Sequence, residues 1–438
     1  MKPLIKIHPP GPKAKNILER DSKIISKSTA REYSLVVERA SGSNVWDVDG
    51  NRYLDFNSFV AVMNFGHSNP KVVEALKNQV QKATHVAFLD FYADLPVKFS
   101  EQLIGLMPHK DLNTIHLSNS GTESIEAAMK LARRYTKRPY FISFYGGFHG
   151  RTYGSLSLTS SKNIQRSHFG PFLSVIHAPY PDPYRCPVGS NPDKCDIDTI
   201  SYIENQIFKT EVSPDEVAAI FVEPIQGENG YIVPPISFMR HLRKLCDEHC
   251  ILLVDDEVQA GGFRTGKFLA IEHFGVKPDI VCMAKSIGGG LPLGATISSN
   301  KIMNWPPGSH SSTFGGNLAS CTSGLATLEL MKDKNLGRSV QKKGEYILKF
   351  LNELREKYEI VGDARGLGLM LAIELVKDKK SKIPAVEERN KILRKTFESG
   401  LLLLPAGESV IRLSPPLNIE QEDIDTGLEI LEKVIKTF

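Results

Sequence analysis

Five short apolar runs, Thr114–Leu117, Tyr140–Tyr145, Val217–Val222, Ile251–Val254 and Ile280–Met283, alternate with stretches whose apolar residues recur at helical spacing. That alternation constrains the fold more than any other feature, because strands joined through helices pair in parallel and are covered on both faces. An α/β architecture with a mostly parallel central sheet follows. Ahead of it, Val45 to Phe56 reads as a hairpin turning at Asp49-Gly50, and Asn69-Pro70 opens a helix. Behind it, a long helical pattern from Arg338 to Tyr358 leads to strand-like Leu369–Leu375, Leu401–Leu404 and Val410–Leu413, then to a final helix from about Glu420. Three parts are predicted: residues 1–65 as an N-terminal segment joining the small domain, 66–330 as a large domain, and 331–438 as a smaller α/β domain.

Charge and cysteine usage exclude several classes. A net charge of +4 set against 54 basic and 50 acidic residues gives no reason to expect a nucleic-acid or membrane partner. The first twenty residues, broken by Pro3, Pro9, Pro10 and Pro12, lack the apolar core of a secretory signal, and no apolar run approaches membrane-spanning length, so a cytoplasmic location is expected. Cys186 and Cys195 share a proline-rich loop, Pro179 to Pro192, and can pair where intracellular thiols are oxidised. Cys246 and Cys250, near His241 and His249, fit the core face of an amphipathic helix better than a zinc site, and no metal is expected.

Four segments carry chemistry. In HLSNSGTESIEAAMKLAR, Ile125, Ala128, Met129 and Ala132 mark a helix, Glu126 and Lys130 form a favourable pair, and Ser120, Gly121 and Thr122 stand at its start, where free N–H groups and the helix dipole suit a phosphate. In VDDEVQAGGFRTG a strand ends in acids, so Asp255, Asp256 or Glu257 should include a functional carboxylate. In PDIVCMAKSIGGGLPLGA, Lys285 lies just past another strand and before three glycines, a setting for a Schiff-base amine. In FYGGFHGRTYG, Phe148 and His149 occupy a glycine-rich loop where an aromatic can cover a flat heterocycle. Phosphate cradle, amine, acid and aromatic are together the requirements of pyridoxal 5′-phosphate, whose aldehyde needs an amine and whose pyridine nitrogen needs an acid to stay protonated.

Along nearly its whole length the chain resembles the subgroup III aminotransferases of fold type I, above all the 4-aminobutyrate aminotransferases. The resemblance rests on SNSGTES, FHGRT, EPIQGENG, VDDEVQAGGFRTG, AKSIGGGLPLGA and STFGGN, in order and at similar spacing. It implies that Lys285 forms the imine with the cofactor, Asp256 bonds the pyridine nitrogen, Gln259 meets the ring hydroxyl, Gly121 and Thr122 bind the phosphate, and Phe148 stacks on the ring, with His149 beside it. It further implies a homodimer in which Thr313 reaches the neighbouring subunit's phosphate. For substrates, it assigns Arg151 and Arg412 to carboxylates, Glu228 to a switch that masks Arg412, and Val60 to the pocket wall. Asn229 departs from the pattern, standing where the family more often has glycine.

The expected reaction is therefore transfer of an amino group from an amino acid, such as 4-aminobutyrate or another ω-amino acid, to a keto acid such as 2-oxoglutarate. An amino-acid racemase or epimerase on the same fold would use almost the same groups. A non-catalytic binder of phosphate ligands would have little use for Lys285.

Overall fold

In the computed structural model, which describes residues 2–189 and 194–438, regular strand structure opens with β1 (Val37–Ser41), β2 (Asn44–Asp47) and β3 (Arg52–Asp55). Strands β2 and β3 pair antiparallel around the Asp49-Gly50 turn, whose backbone is pinned by Asp47 Oδ1 accepting from the N–H groups of Asp49 and Asn51 at 3.0 and 2.8 Å. The helix Pro70–Val80 follows.

A seven-stranded sheet comes next, in the order β4-β10-β9-β8-β7-β5-β6. Its members are β4 (Thr114–Ser118), β5 (Tyr140–Phe144), β6 (Val175–Ala178), β7 (Val217–Val222), β8 (Leu252–Asp256), β9 (Ile280–Met283) and β10 (Gly294–Ser298). Strand β10 runs antiparallel to both β4 and β9, and the pairs among β9, β8, β7, β5 and β6 are parallel. Every residue of β7, β8 and β9 is buried. The helix Gly121–Thr136 lays Ile125, Ala128, Met129 and Ala132 on Phe141, Phe221, Val254 and Ile280, each buried. Burial of Ile125 and Met129 contributes roughly 1.5–3 kcal/mol apiece, which anchors the helix on the sheet, and the two alanines let it approach closely.

The C-terminal part adds β11 (Val361–Leu367), β12 (Met370–Leu375), β13 (Leu401–Leu402), β14 (Leu404–Ala406) and β15 (Val410–Leu413). These form one sheet ordered β11-β12-β15-β14, while β13 closes the other, β1-β2-β3-β13, by pairing parallel with β3. The run Leu401–Leu404 thus serves two sheets rather than one strand. By internal contacts the chain divides into two units: the chain up to Pro70 together with Val340–Phe438, and Lys71–Ser339. These divisions fall a few residues beyond positions 65 and 330, and the second lies inside the helix Leu336–Lys357.

Cys186 and Cys195 are joined as a disulfide. Part of the proline-rich loop between them, residues 190–193, lies outside the described residues. On the helix Ile236–His249, Cys246 is fully buried and Cys250 is the left-handed C-cap, with φ 53°.

Candidate active site

The first piece of the site is a helix start. Ser120 caps the helix Gly121–Thr136 by accepting from Glu123 N–H, and the Glu123 carboxylate in turn accepts from Asn119 N–H at 2.6 Å. A helix start of this kind suits an anion, through first-turn N–H groups and the positive end of the helix dipole. Gly121 is required by close approach, since a Cβ there would lie 2.7 Å from Val258 Cγ1. Thr122 Oγ1 bonds the hydroxyls of Thr152 and Ser155, which places three hydroxyls together, and Gly150 leaves room for them because its own Cβ would fall 2.3 Å from Thr122 Oγ1. The Glu126–Lys130 pairing expected from sequence does not form. Glu126 instead accepts from Ser155 N–H and the Thr152 hydroxyl, and Lys130 Nζ reaches His310 Nδ1 at 2.8 Å. Tertiary donors outcompete a weak helical ion pair, and Glu126 thereby fastens the loop after Arg151 to the cradle.

The second piece lies at the carboxyl ends of β8 and β9. Asp256 pairs with Cys282 in the parallel register, so Asp256 and Lys285, three residues further on, emerge from neighbouring strands at the same edge of the sheet. Lys285 is half-buried and holds φ 43°, a left-handed conformation that a lysine adopts only under constraint. Asp256, 4% exposed, accepts from Val258 N–H and lies 2.7 Å from His149 Nδ1. Burial works against a charge on His149, but the Asp256 carboxylate outweighs it and raises the imidazole pKa. Gln259 directs a buried Oε1 that has no hydrogen-bond partner among the described residues, an acceptor suited to a ligand hydroxyl.

Of the three acids in VDDE, the structure separates the roles. Asp255 and Glu257 are fully buried and face one another, burial pushing Glu257 up to about 7 and Asp255 well above the carboxylate range. Burial holds both in the neutral form at low pH, and Asp255 keeps its proton after Glu257 has released its own, so the two act as a structural pair. Asp256 alone is held by an imidazole.

A fourth acid, Glu223, was not singled out from sequence. It follows β7 and accepts from the N–H groups of Phe148 and Gly227, both at 2.8 Å, and burial pushes its pKa up to about 7. The signal was present in EPIQGENG, an acid at a strand's carboxyl end like Asp256. Phe148 is half-buried, with the exposed Arg151 guanidinium 5.9 Å from its ring centroid. Glu228 Oε1 is bonded by Lys162 Nζ at 2.8 Å. Asn229 Nδ2 donates to Gln226 Oε1, and its side chain fills the space over Gly146, so the residue that departs from the family pattern shapes this loop. Thr313 is exposed on the loop after β10.

Val60 and Arg412 belong to the other unit, where the structure links their segments. Ser58, Phe59, Val60 and Ala61 form a left-handed turn with φ between 45° and 65°, at a cost of roughly 1–2 kcal/mol per residue. Asp55 holds the turn by accepting from Asn57 and Ser58 N–H while His67 Nε2 sits 2.7 Å from its other oxygen. Ser58 Oγ donates to the carbonyl of Ser414, two residues past Arg412, which is 6% exposed on β15.

An amine, a buried carboxylate fixed by histidine, an orphan amide oxygen and a helix-start anion cradle fit the aldehyde, pyridine nitrogen, ring hydroxyl and phosphate of one molecule, and on this sheet they define a pyridoxal-phosphate-dependent enzyme of fold type I. Residues 25–435 match the family model described as Aminotransferase class-III. The leucine/methionine racemase of Thermococcus litoralis is 41% identical, over 96% of this chain and 95% of its own length. The 4-aminobutyrate aminotransferase of Escherichia coli is 37% identical, over 96% and 97%. Among solved structures, the taurine:2-oxoglutarate aminotransferase of Bifidobacterium kashiwanohense, in complex with PLP and glutamate, is similar with a TM-score of 0.90 at 28% identity, covering 97% of this chain and 98% of that one. The chain belongs to the class III aminotransferases, and its cofactor is pyridoxal phosphate. No helix among the described residues is long and apolar enough to cross a membrane.

Proposed function

We propose that this enzyme moves an amino group from an ω-amino acid, with 4-aminobutyrate as the first candidate, to a keto acid such as 2-oxoglutarate. The observation that carries the reading is the placement of Lys285 and the His149-bound Asp256 at the ends of adjacent parallel strands. Pyridoxal phosphate, when bound, supplies an aldehyde that condenses with amines and a cationic ring that draws electrons from the carbon bearing the substrate nitrogen. Lys285 Nζ removes the proton from that carbon and delivers it to its new position, as a general base and then acid. Asp256 keeps the proton on the pyridine nitrogen, and His149 fixes the carboxylate's orientation. Gly121 and Thr122 hold the phosphate, Phe148 covers the ring, and Gln259 accepts from its hydroxyl. Arg151 and Arg412 receive substrate carboxylates, Glu228 moderates Arg412, and Val60 borders the substrate. The working form is a cytoplasmic homodimer in which Thr313 serves the partner's phosphate.

One observation favours a second reading. The racemase of Thermococcus litoralis shares 41% of aligned residues with this chain, and returning the proton to the opposite face of the same carbon requires the same Lys285 and Asp256. Incubating the holoenzyme with amino donors and 2-oxoglutarate, followed by chiral and keto-acid analysis, separates the two. Glutamate appearing with the donor's aldehyde or keto acid supports transfer, whereas inversion of an α-amino acid with no keto acid formed overturns it. Lys285→Ala is expected to abolish turnover while preserving the fold, and full turnover in that variant would refute the role of Lys285.

A further inference from the structure

The helix Gly121–Thr136 offers its first turn to one phosphate, and further along it holds a loop that its own cradle does not need. Lys130 Nζ reaches His310 Nδ1 at 2.8 Å and the carbonyl of Ser309 at 3.2 Å. An ammonium only donates, so Nδ1 accepts and the imidazole is neutral, in keeping with burial and the Lys130 charge lowering the His310 pKa. The ring is seated against His116 of β4 and Trp305, with centroids 4.8 and 5.5 Å away. Just before the helix, Asn119 Nδ2 donates to Ser312 Oγ at 3.4 Å, and Ser312 Oγ also accepts from Gly315 N–H at 3.0 Å. These contacts fall on residues 309, 310, 312 and 315 of the loop between β10 and the helix Leu318–Met331. Thr313, exposed, stands among them. An exposed lysine contact adds little to stability, so its consequence is where the loop stands and which way Thr313 is offered.

We propose that Lys130 is a positioning residue for the neighbouring subunit's cofactor: by holding the 309–315 loop it presents the Thr313 hydroxyl to the partner's phosphate. The helix that cradles one phosphate thereby braces a donor to the other. The inference rests on reading Thr313 as the partner's phosphate donor in a homodimer. Pyridoxal is the same ring without the phosphate, so the apparent Kd values of pyridoxal phosphate and pyridoxal, read from their absorption on titration into the full-length enzyme freed of cofactor, isolate the phosphate contacts. Thr313→Ala and Lys130→Met are each expected to weaken pyridoxal phosphate about tenfold and pyridoxal less than about twofold. The double variant should be no weaker than Thr313→Ala alone, and Lys130→Arg, which keeps a cationic donor, should match the wild type. A purely structural role would weaken both ligands alike. Equal weakening of the two, wild-type affinity in Lys130→Met, or losses that multiply in the double variant overturn the proposal. Were Thr313→Ala itself without effect, the assignment of Thr313 would fall and the proposal with it, whereas a weakened Thr313→Ala beside an unaffected Lys130→Met would sink the role of Lys130 alone.

Discussion

At the scale of single residues, the site depends on how buried charge is managed. Asp256 is 4% exposed, and His149 Nδ1 lies 2.7 Å from its carboxylate as its hydrogen-bond partner. On the proposed roles of Asp256 and Lys285, His149→Phe is expected to lower kcat about 10- to 100-fold while borohydride labelling of Lys285 stays unchanged, as steady-state kinetics and peptide mapping would show. The adjacent acids behave differently. Glu257 keeps its proton in the folded protein up to about 7, whereas an unfolded glutamate releases it near 4.5, so the stabilisation is full below about 4.5 and is lost as pH rises through 7. Asp255→Asn removes the second carboxyl that burial keeps neutral, and with it that group's own loss of stability on raising pH, so the dependence should flatten. Melting temperatures at about pH 5 and about pH 8 should fall more across that interval in the wild type than in the variant. An equal slope in both would show that burial does not keep Asp255 neutral in the folded protein. The sequence announced three acids after a strand, but only burial and the partner of each separated Asp256 from its neighbours.

Secondary-structure elements were legible where apolar runs were strong. The five strands read from sequence are present, since Val217–Val222 and its neighbours are buried on both faces and have no alternative use. Strand β10 was not legible, because Gly294-Ala-Thr-Ile-Ser has the composition of a loop and is extended through its pairing with β4 and β9. The helix at Gly121 was legible as a helix, but its tight seat against Val258 was not. Gly121→Ala places a methyl 2.7 Å from Val258 Cγ1, and overpacking of roughly 1–3 kcal/mol at the cradle should weaken cofactor binding about 10- to 100-fold with circular dichroism unchanged. Unaltered affinity in that variant would show that the phosphate lies elsewhere.

For the whole molecule, the Cys186–Cys195 disulfide makes a stability prediction. A crosslink spanning a sequence separation of 9 removes unfolded-state entropy worth about 2–3 kcal/mol. Reductant should lower the unfolding midpoint of the wild type and leave that of Cys186→Ser unmoved, so indifference of the wild type would show that the bond contributes nothing. The pairing was only one of two readings in the sequence, because loop composition says that two thiols can meet without fixing their distance.

Sequence by itself determined the α/β class, the lysine after β9, the acids after β8 and the helix that begins at Gly121, because local hydrophobic period, glycine placement and strand-end chemistry are properties of neighbouring residues. Tertiary structure alone decided which partners those groups have: His149 on Asp256, Glu223 on Phe148, Glu126 on Thr152 and Ser155, and Lys162 on Glu228. These contacts join positions from 26 to 107 residues apart. Their strength depends on burial and distance, and neither is a property of any stretch of sequence read alone.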